Sequence, residues 1–489
     1  MEELLLEHYL SDRSRLGRPV HGATVGRAGG AACGDLIEVS LRLRDGRVVE
    51  VRQTASGCAA ARAAGAAVAE LADRTPLLDA ALLDSEAVSA ELGGLSSTGS
   101  HAADLAAEAL HRALGAAVAT ASAGLLPPPD SAGERVLVAV SGGVDSAVAL
   151  LRERERGAEV VAITLELWSD PANDGERSCC SADAVRQARA VSHSLGVPHL
   201  TVDLRERFRA GVVEPFLEGY GAGVTPNPCV SCNGRVRIAP MIAIAERLGA
   251  SGLATGHYAR VADDGGSTPL LSAAADPAKD QTYMLAGLPP AALSKLRFPL
   301  ADLTKPEVRA IARSAGVAVA DKAESQDLCF LAGEGKSGFL ARHGGLADRP
   351  GDIVDTSGRA VGTHHGHHRF TVGQRRGIGI GAPQPLYVLA TDAAANIVTV
   401  GSAEELATER VEIRDVTLHR PGSRVRSVRL RYRSQPLDCR IKAPAGGELS
   451  AGSHDRLEVE LDSPARAAAP GQTAVFCDGD LVLGHGTIA

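Results

Sequence analysis

The chain has 489 residues, 45% of them hydrophobic, which supplies several buried cores and sets an expectation of three or four domains. No run approaches the roughly 18 apolar residues of a membrane span, and the acidic start MEELLLEHYLSD lacks the basic segment of a secretory leader, so a cytoplasmic protein with no membrane partner is expected. The net charge of −8 argues against a general nucleic-acid coat, yet residues 420–442 hold eight basic residues against one acid, Asp438, a local field suited to a nucleic acid.

Taken in chain order, residues 1–124 form a first α+β unit. Residues 36–43 alternate as a strand, Asp45-Gly46 makes a hairpin turn, and residues 48–51 return. Cys58 precedes an alanine-rich helix to about Leu71, and a second helix covers about 102–119. The proline-bearing stretch 125–135 reads as a linker. Residues 136–345 alternate strand and helix: strands at 136–140, 160–167, 197–204 and 253–259, helices from about Ser146 and over 182–195. That alternation predicts a doubly wound parallel sheet. Residues 346–406 form a small central domain, and 407–489, with strands at 425–432, 457–461, 474–477 and 481–483, predict a β-barrel. The fold class expected is multidomain α/β.

The string VLVAVSGGVDSAVAL (136–150) runs from an apolar strand through Ser141-Gly142-Gly143-Val144-Asp145-Ser146 into a helix. Glycines let backbone approach phosphate, and a helix N-terminus offers unpaired N–H groups and partial positive charge. Ser141 and Ser146 add hydroxyls, and Asp145 is placed to orient Mg2+ or the attacking group. The Lys-Ser/Thr ending of a Walker A loop is absent. The string resembles the PP-loop of ATP pyrophosphatases, which release pyrophosphate and leave AMP on the substrate.

Nine cysteines in a chain of this kind read as thiols, metal ligands or catalysts more than as disulfides. Two prolines stiffen TPNPCVSCN (225–233) and display Cys229 and Cys232, and Cys329 follows in KAESQDLCFL. With SGGVDSAV, TGHYAR, KDQTYML, FTVGQRRGIGIG, LRYRSQ and PGQTAVFCDGD in order, the chain from Val136 onward resembles the bacterial tRNA-specific 2-thiouridylases. The resemblance implies ATP-dependent adenylation of the wobble uridine at C2, Cys329 as persulfide carrier and Cys232 as nucleophile. It places ATP on Ala139, Val140, Ser141, Gly142, Gly143, Val144, Asp145, Ser146, Leu165 and Gly256. It places tRNA on Asn227, Pro228, Cys229, Lys279, Asp280, Gln281, Arg431 and Tyr432. Arg235 or Lys322 is expected to supply the positive charge that favours a thiolate. Lysine is scarce, six against 45 arginines, so Lys279 is noted as a kept lysine.

Many members of that family carry Asp where this chain has Cys229. Cys229, Cys232 and Cys329 together could hold a 4Fe–4S cluster with one iron open to sulfide, or Cys229 is a tolerated loop variant. Cys179-Cys180 reads as packing at a helix start, with a redox pair as the alternative. Cys439 and Cys477 read as core residues, and HHGHH (364–368) as a solvated or tRNA-facing loop.

Residues 1–124 resemble the iron–sulfur cluster scaffold family, on LLLEHYLSDRSR, AACGD, ASGCAAARA and SHAADLAAEAL. The resemblance implies a ligand set of Cys33, Asp35, Cys58 and His101 for Zn2+ or an iron–sulfur cluster, although Ala102 stands where the family has a further cysteine. It also implies a cysteine desulfurase or another persulfide donor as partner, with sulfur delivery or docking alone as the two roles. Other classes remain open for the whole chain: a sulfur-relay scaffold, or a PP-loop ligase acting on a small metabolite.

Overall fold

A computed structural model describes every residue except 1, 18–20, 31–33, 97–98, 130–132, 171–181, 323–327, 332–333, 444–446 and 467. Cys33, Cys179 and Cys180 lie outside the described residues. The front domain is an antiparallel sheet of β1 (Thr24–Gly29), β2 (Leu36–Arg44) and β3 (Arg47–Ser56) in that order. Asp45 and Gly46 both take positive φ, 49° and 70°, the turn geometry that matches strand twist in a two-residue hairpin. Ile37, Val39 and Leu41 alternate inward and are fully buried beneath the helices Ala59–Ala72 and Ser100–Thr120. Buried alanines on both helices (Ala63, Ala67, Ala106, Ala113) let backbones lie close. The sequence gives little sign of β1, because TVGRAG lacks a run of apolar alternation.

The second domain is a parallel sheet of β4 (Arg135–Ala139), β5 (Glu159–Glu166), β6 (His199–Asp203) and β7 (Gly252–Thr255). The strands β8 (Arg260–Ala262) and β9 (Leu270–Ser272) leave that sheet, and β10 (Leu296–Arg297) returns to complete it in the order β10-β7-β4-β5-β6. Val136, Leu137 and Val138 are fully buried, as expected of a central strand covered on both faces. Connections run one way from β4 to β5 and β6, and the other way to β7 and β10. A crevice therefore opens beyond the carboxyl end of β4.

The central domain is a four-stranded sheet built from Gly351–Val354, Ala360–His364, Tyr387–Asp392 and Ile397–Gly401. Six strands close the C-terminal barrel, since Ala407–Leu418 pairs with both Gly452–Arg466 and Leu481–Ile488. The strand expected at 425–432 shortens to Ser427–Arg429, and a turn with Arg433 at φ 60° follows. β9 pairs with Leu481–Ile488, so the second domain lends two strands to the barrel sheet.

The front domain is docked on the edge of the parallel sheet. Its helix Ser100–Thr120 lies across β6, and a Cβ built at Gly115 would sit 1.8 Å from the Thr201 carbonyl oxygen. The two ring nitrogens of His111 face the carbonyls of His199 (3.0 Å) and Leu83 (2.8 Å), and the neutral ring donates to one of them. The His199 N–H donates to the Ala81 carbonyl at 3.1 Å, and Arg112 forks onto Glu166. The stretch after the helix is held too, because Leu125 N–H donates to the Arg247 carbonyl at 2.8 Å and Leu126 is buried.

Candidate functional site

The loop after β4 enters the helix Val144–Glu155, whose cap Gly143 has no side chain to engage the first N–H groups. They are left to a ligand, as anion binding at a helix start requires. The Ser146 hydroxyl accepts from Ser141 N–H at 3.1 Å and donates to the Gly143 carbonyl at 3.0 Å, so it braces the loop from within. Asp145 Oδ1 accepts from Lys305 Nζ at 2.6 Å and from the Tyr258 hydroxyl at 2.9 Å. Lys322 Nζ donates to the Gly142 carbonyl at 3.1 Å and to Gln187 Oε1 at 2.6 Å. A Cβ on Gly256 would lie 2.8 Å from the backbone of Asp145 and Ser146, so only glycine lets β7 approach the loop this closely.

A cavity of about 370 Å3 opens beside this loop. Ala139, Val140, Ser141, Asp145, Ser146, Leu165 and Gly256 border it, while Gly142, Gly143 and Val144 belong to the loop without lining the cavity. Cys229, Cys232 and Cys329 line the same space, together with Pro228 and Gln281. Asn227 caps the short helix Pro228–Ser231, its Oδ1 accepting from Cys229 and Val230 N–H. The chain then widens into a π-helical turn, Cys232–Arg237, a form that often marks functional sites. Cys232 is buried, and Cys229 and Cys329 are half-buried. Cys329 is anchored by its neighbour Phe330, whose buried ring packs on Phe208, Phe216 and Phe339 at 5.1–5.8 Å.

Lys279, Asp280, Arg431 and Tyr432 do not line the cavity. They lie near the seam with the barrel: Asp280 accepts from Arg429 at 2.6 Å, Tyr432 packs on Tyr283 at 6.1 Å, and Arg431 is exposed. Of the eight basic residues in 420–442, Arg420 and Arg424 are tied to Asp264, Arg429 to Asp280 and Lys442 to Glu460. The local positive field is therefore about half what a residue count gives.

Two expectations are corrected. Neither Arg235 nor Lys322 lines the thiol cavity; Arg237 does. Arg237 was missed because only the π-helical turn decides which of 235 and 237 faces inward. It lies near His257, whose pKa burial and that positive charge push down to about 3, so His257 is a neutral ring at working pH. The histidine tract is not a solvated loop as a whole: His364, His367 and His368 are buried, while His365 is exposed. His364 Nδ1 accepts from Gly366 N–H at 2.8 Å and His367 N–H donates to Asn396 at 3.2 Å, so the turn folds inward. Cys439 and Cys477 are core residues as expected, burial pushing their thiols up to about 12 and about 11. Lys305 and Tyr258 were also missed, though the scarcity of lysine was a usable signal for the former.

In the front domain Asp35, Cys58 and His101 bring one ligand atom each within 4.8 Å of one another. Asp35 Oδ1 accepts from Cys58 N–H and Oδ2 from His101 Nε2, both at 2.7 Å, and these bonds hold its carboxyl below the usual range. Cys58 also caps the helix Ala59–Ala72, its Sγ accepting from Ala61 N–H at 3.3 Å. An S, N, O donor set meeting at one point fits Zn2+.

Comparison with known proteins agrees with this layout. The chain matches the NifU-like N terminal domain over residues 2–120, the tRNA methyl transferase HUP domain over 134–333, its PRC-barrel domain over 337–402, and the aminomethyltransferase beta-barrel domain over 416–488. It is 43% identical to the bifunctional protein NifU/MnmA of Rubrobacter xylanophilus, across 99% of this chain and 98% of that one. It is 40% identical to the tRNA-specific 2-thiouridylase MnmA of Geobacter metallireducens and 44% identical to that of Sorangium cellulosum. Each alignment spans 73% of this chain and respectively 98% and 93% of the relative. The chain thus belongs to the tRNA-specific 2-thiouridylase family, in the form that carries a NifU-like domain ahead of the HUP domain.

Proposed function

We propose that this protein is an ATP-dependent tRNA-uridine 2-sulfurtransferase. The C2 oxygen of the wobble uridine attacks the α-phosphate of ATP, pyrophosphate leaves, and the carbonyl oxygen becomes part of a good leaving group. Cys329 carries a persulfide. Its terminal sulfur attacks C2, and Cys232 attacks Cys329 Sγ. The S–S bond breaks with its electron pair going to the transferred sulfur, AMP departs, and a Cys232–Cys329 disulfide awaits a thiol reductant. Asp145 is the one carboxylate among the described residues lining the cavity, and Mg2+ held there with ATP would neutralise phosphate charge. Asn227, Pro228 and Cys229 contact the target nucleotide, and Lys279, Asp280, Gln281, Arg431 and Tyr432 contact tRNA beyond it.

What supports this reading is that the phosphate loop, Cys232 and Cys329 border one cavity although they come from three distant segments. A small-metabolite ligase would need neither thiol there. The front domain, with Asp35, Cys58 and His101 as ligands and Cys33 as a fourth, docks a cysteine desulfurase or another persulfide donor. Wobble nucleosides from cells lacking this gene, analysed by mass, test the proposal. The full chain restores 2-thiouridine, and Cys232→Ala and Cys329→Ala each lower it by about 1,000-fold or more; restoration by either variant would refute the assigned chemistry.

The position of Cys229 in the same cavity favours a second reading, a 4Fe–4S cluster on Cys229, Cys232 and Cys329 that binds sulfide. Anaerobic purification in a Cys58→Ser background removes a front-domain ligand from the iron count. Full activity without iron ends that reading, and iron lost together with activity in Cys229→Asp supports it.

A further inference from the structure

Two of the six lysines in the chain reach the phosphate loop from elements 160 and 180 residues away. Lys305 opens the helix Lys305–Ser314, which is fixed by a Thr304–Glu307 capping box and by its own N–H donating to Asp276 Oδ2 at 2.9 Å. Its side chain is 9% exposed and ends on Asp145, a carboxylate in the first turn of the loop helix. A negative group there opposes phosphate binding, and a cation at 2.6 Å cancels it. Lys322 grips the other side of the loop through the Gly142 carbonyl. It borders a depression of about 460 Å3 that is also lined by Arg186 and Gln187.

We propose that Lys305 and Lys322 are ligands of the β- and γ-phosphates of ATP and carry the charge of the pyrophosphate as it leaves. This rests on the ATP-dependent reading given above. An ammonium has three donors on one atom, so Lys305 can keep Asp145 and hold a phosphate oxygen together. A guanidinium would close its fork on the carboxylate. That difference accounts for lysine at 305 in a chain with 45 arginines. Lys305 works from the Asp145 side, and Lys322, with Arg186 beside it, receives the γ end. The bond between α-phosphorus and the bridging oxygen breaks, its electron pair goes to pyrophosphate, and the two ammonium groups offset that charge without giving up a proton.

The test uses the full chain with Lys305→Met, Lys305→Arg and Lys322→Met, and inorganic pyrophosphate and AMP as competing inhibitors of ATP binding. The expected result is a rise of about tenfold or more in the inhibition constant of pyrophosphate for each variant, with that of AMP unchanged. tRNA-dependent pyrophosphate release should fall by about 100-fold in Lys305→Met, with tRNA affinity as in the parent. If Lys305→Met does not fold, Lys305→Arg and Lys322→Met still report. Unchanged pyrophosphate inhibition in the folded variants would overturn the proposal, and so would an equal loss for AMP, which indicates general damage. A parent enzyme that binds ATP but releases no pyrophosphate with tRNA would instead refute the thiolation reading and leave the phosphate ligands testable by inhibition alone.

Discussion

Gly256 sits where β7 ends against the backbone of Asp145 and Ser146, and a methyl group there meets main chain, not a side chain that can swing away. Overpacking of this kind costs about 1–3 kcal/mol. The strain falls on the loop proposed to hold phosphate. Gly256→Ala should weaken ATP by about tenfold while leaving tRNA affinity alone. Thermal unfolding with and without ATP checks it: the shift on adding ATP should shrink, and an undiminished shift would show that the loop tolerates the methyl group. Residues of this site were legible in the sequence to different degrees. SGGVDS was plain because strand, turn and helix start are adjacent in the chain. Cys232 and Cys329 came from the family resemblance, and their shared cavity needed the fold. Lys305, Tyr258 and Arg237 were not read at all, because each acts on a partner that local pattern cannot name.

The helix Ser100–Thr120 serves two domains at once. One face covers β1 and β2, the other lies on β6, and its first turn carries His101 of the candidate metal centre. The sequence predicts the helix, but alanine on every face gives no stripe to tell one buried side from two. Buried Glu108 and His111 were the trace of the second contact, since polar residues inside a helix interface must have partners. Gly115→Ala sets two effects against each other. Helix propensity favours alanine by about 1 kcal/mol, whereas a Cβ 1.8 Å from the Thr201 carbonyl oxygen must part the helix from a strand bonded in its sheet. The second effect should win, with a net loss of up to about 2 kcal/mol. Amide exchange along His199–Asp203 should quicken while that along Leu36–Arg44 stays slow; a more stable variant with unchanged exchange would mean the contact relaxes freely.

At the scale of the whole molecule, no helix among the described residues is long and apolar enough to cross a membrane, and composition set a range of three or four domains. It overstated the basic field of 420–442, because carboxylates distant in sequence neutralise half of it. It was silent on how the front domain is held. That contact is polar and buried: His111, His193 and His199 gather there with Arg189. Burial, with the Arg189 charge, pushes all three imidazoles below their ordinary value. Asp84 and the Ala81 carbonyl oppose this at His193, the Leu83 and His199 carbonyls oppose it at His111, and Thr164 faces His199 at 2.8 Å. Each ring is thus neutral in the folded protein and takes a proton in the unfolded chain once pH falls below about 6.5. Protons bind the unfolded state more tightly, so the stability these groups contribute is complete above about pH 6.5 and drains away as pH drops toward their lowered values. The loss is up to about 1.4 kcal/mol per pH unit for each histidine. His419 and His485, both lowered to about 4 by burial, add their own slope in the barrel, so the docking contribution is read as a difference. Exchange along His199–Asp203 should be steady between pH 8 and 7, once corrected for intrinsic rates, and lose protection between pH 6.5 and 5. His111→Gln, which keeps hydrogen-bonding groups but cannot titrate, should remove up to one proton's worth of that slope. Equal slopes in the parent and the variant would place the acid sensitivity elsewhere and leave the interface histidines as mere spacers.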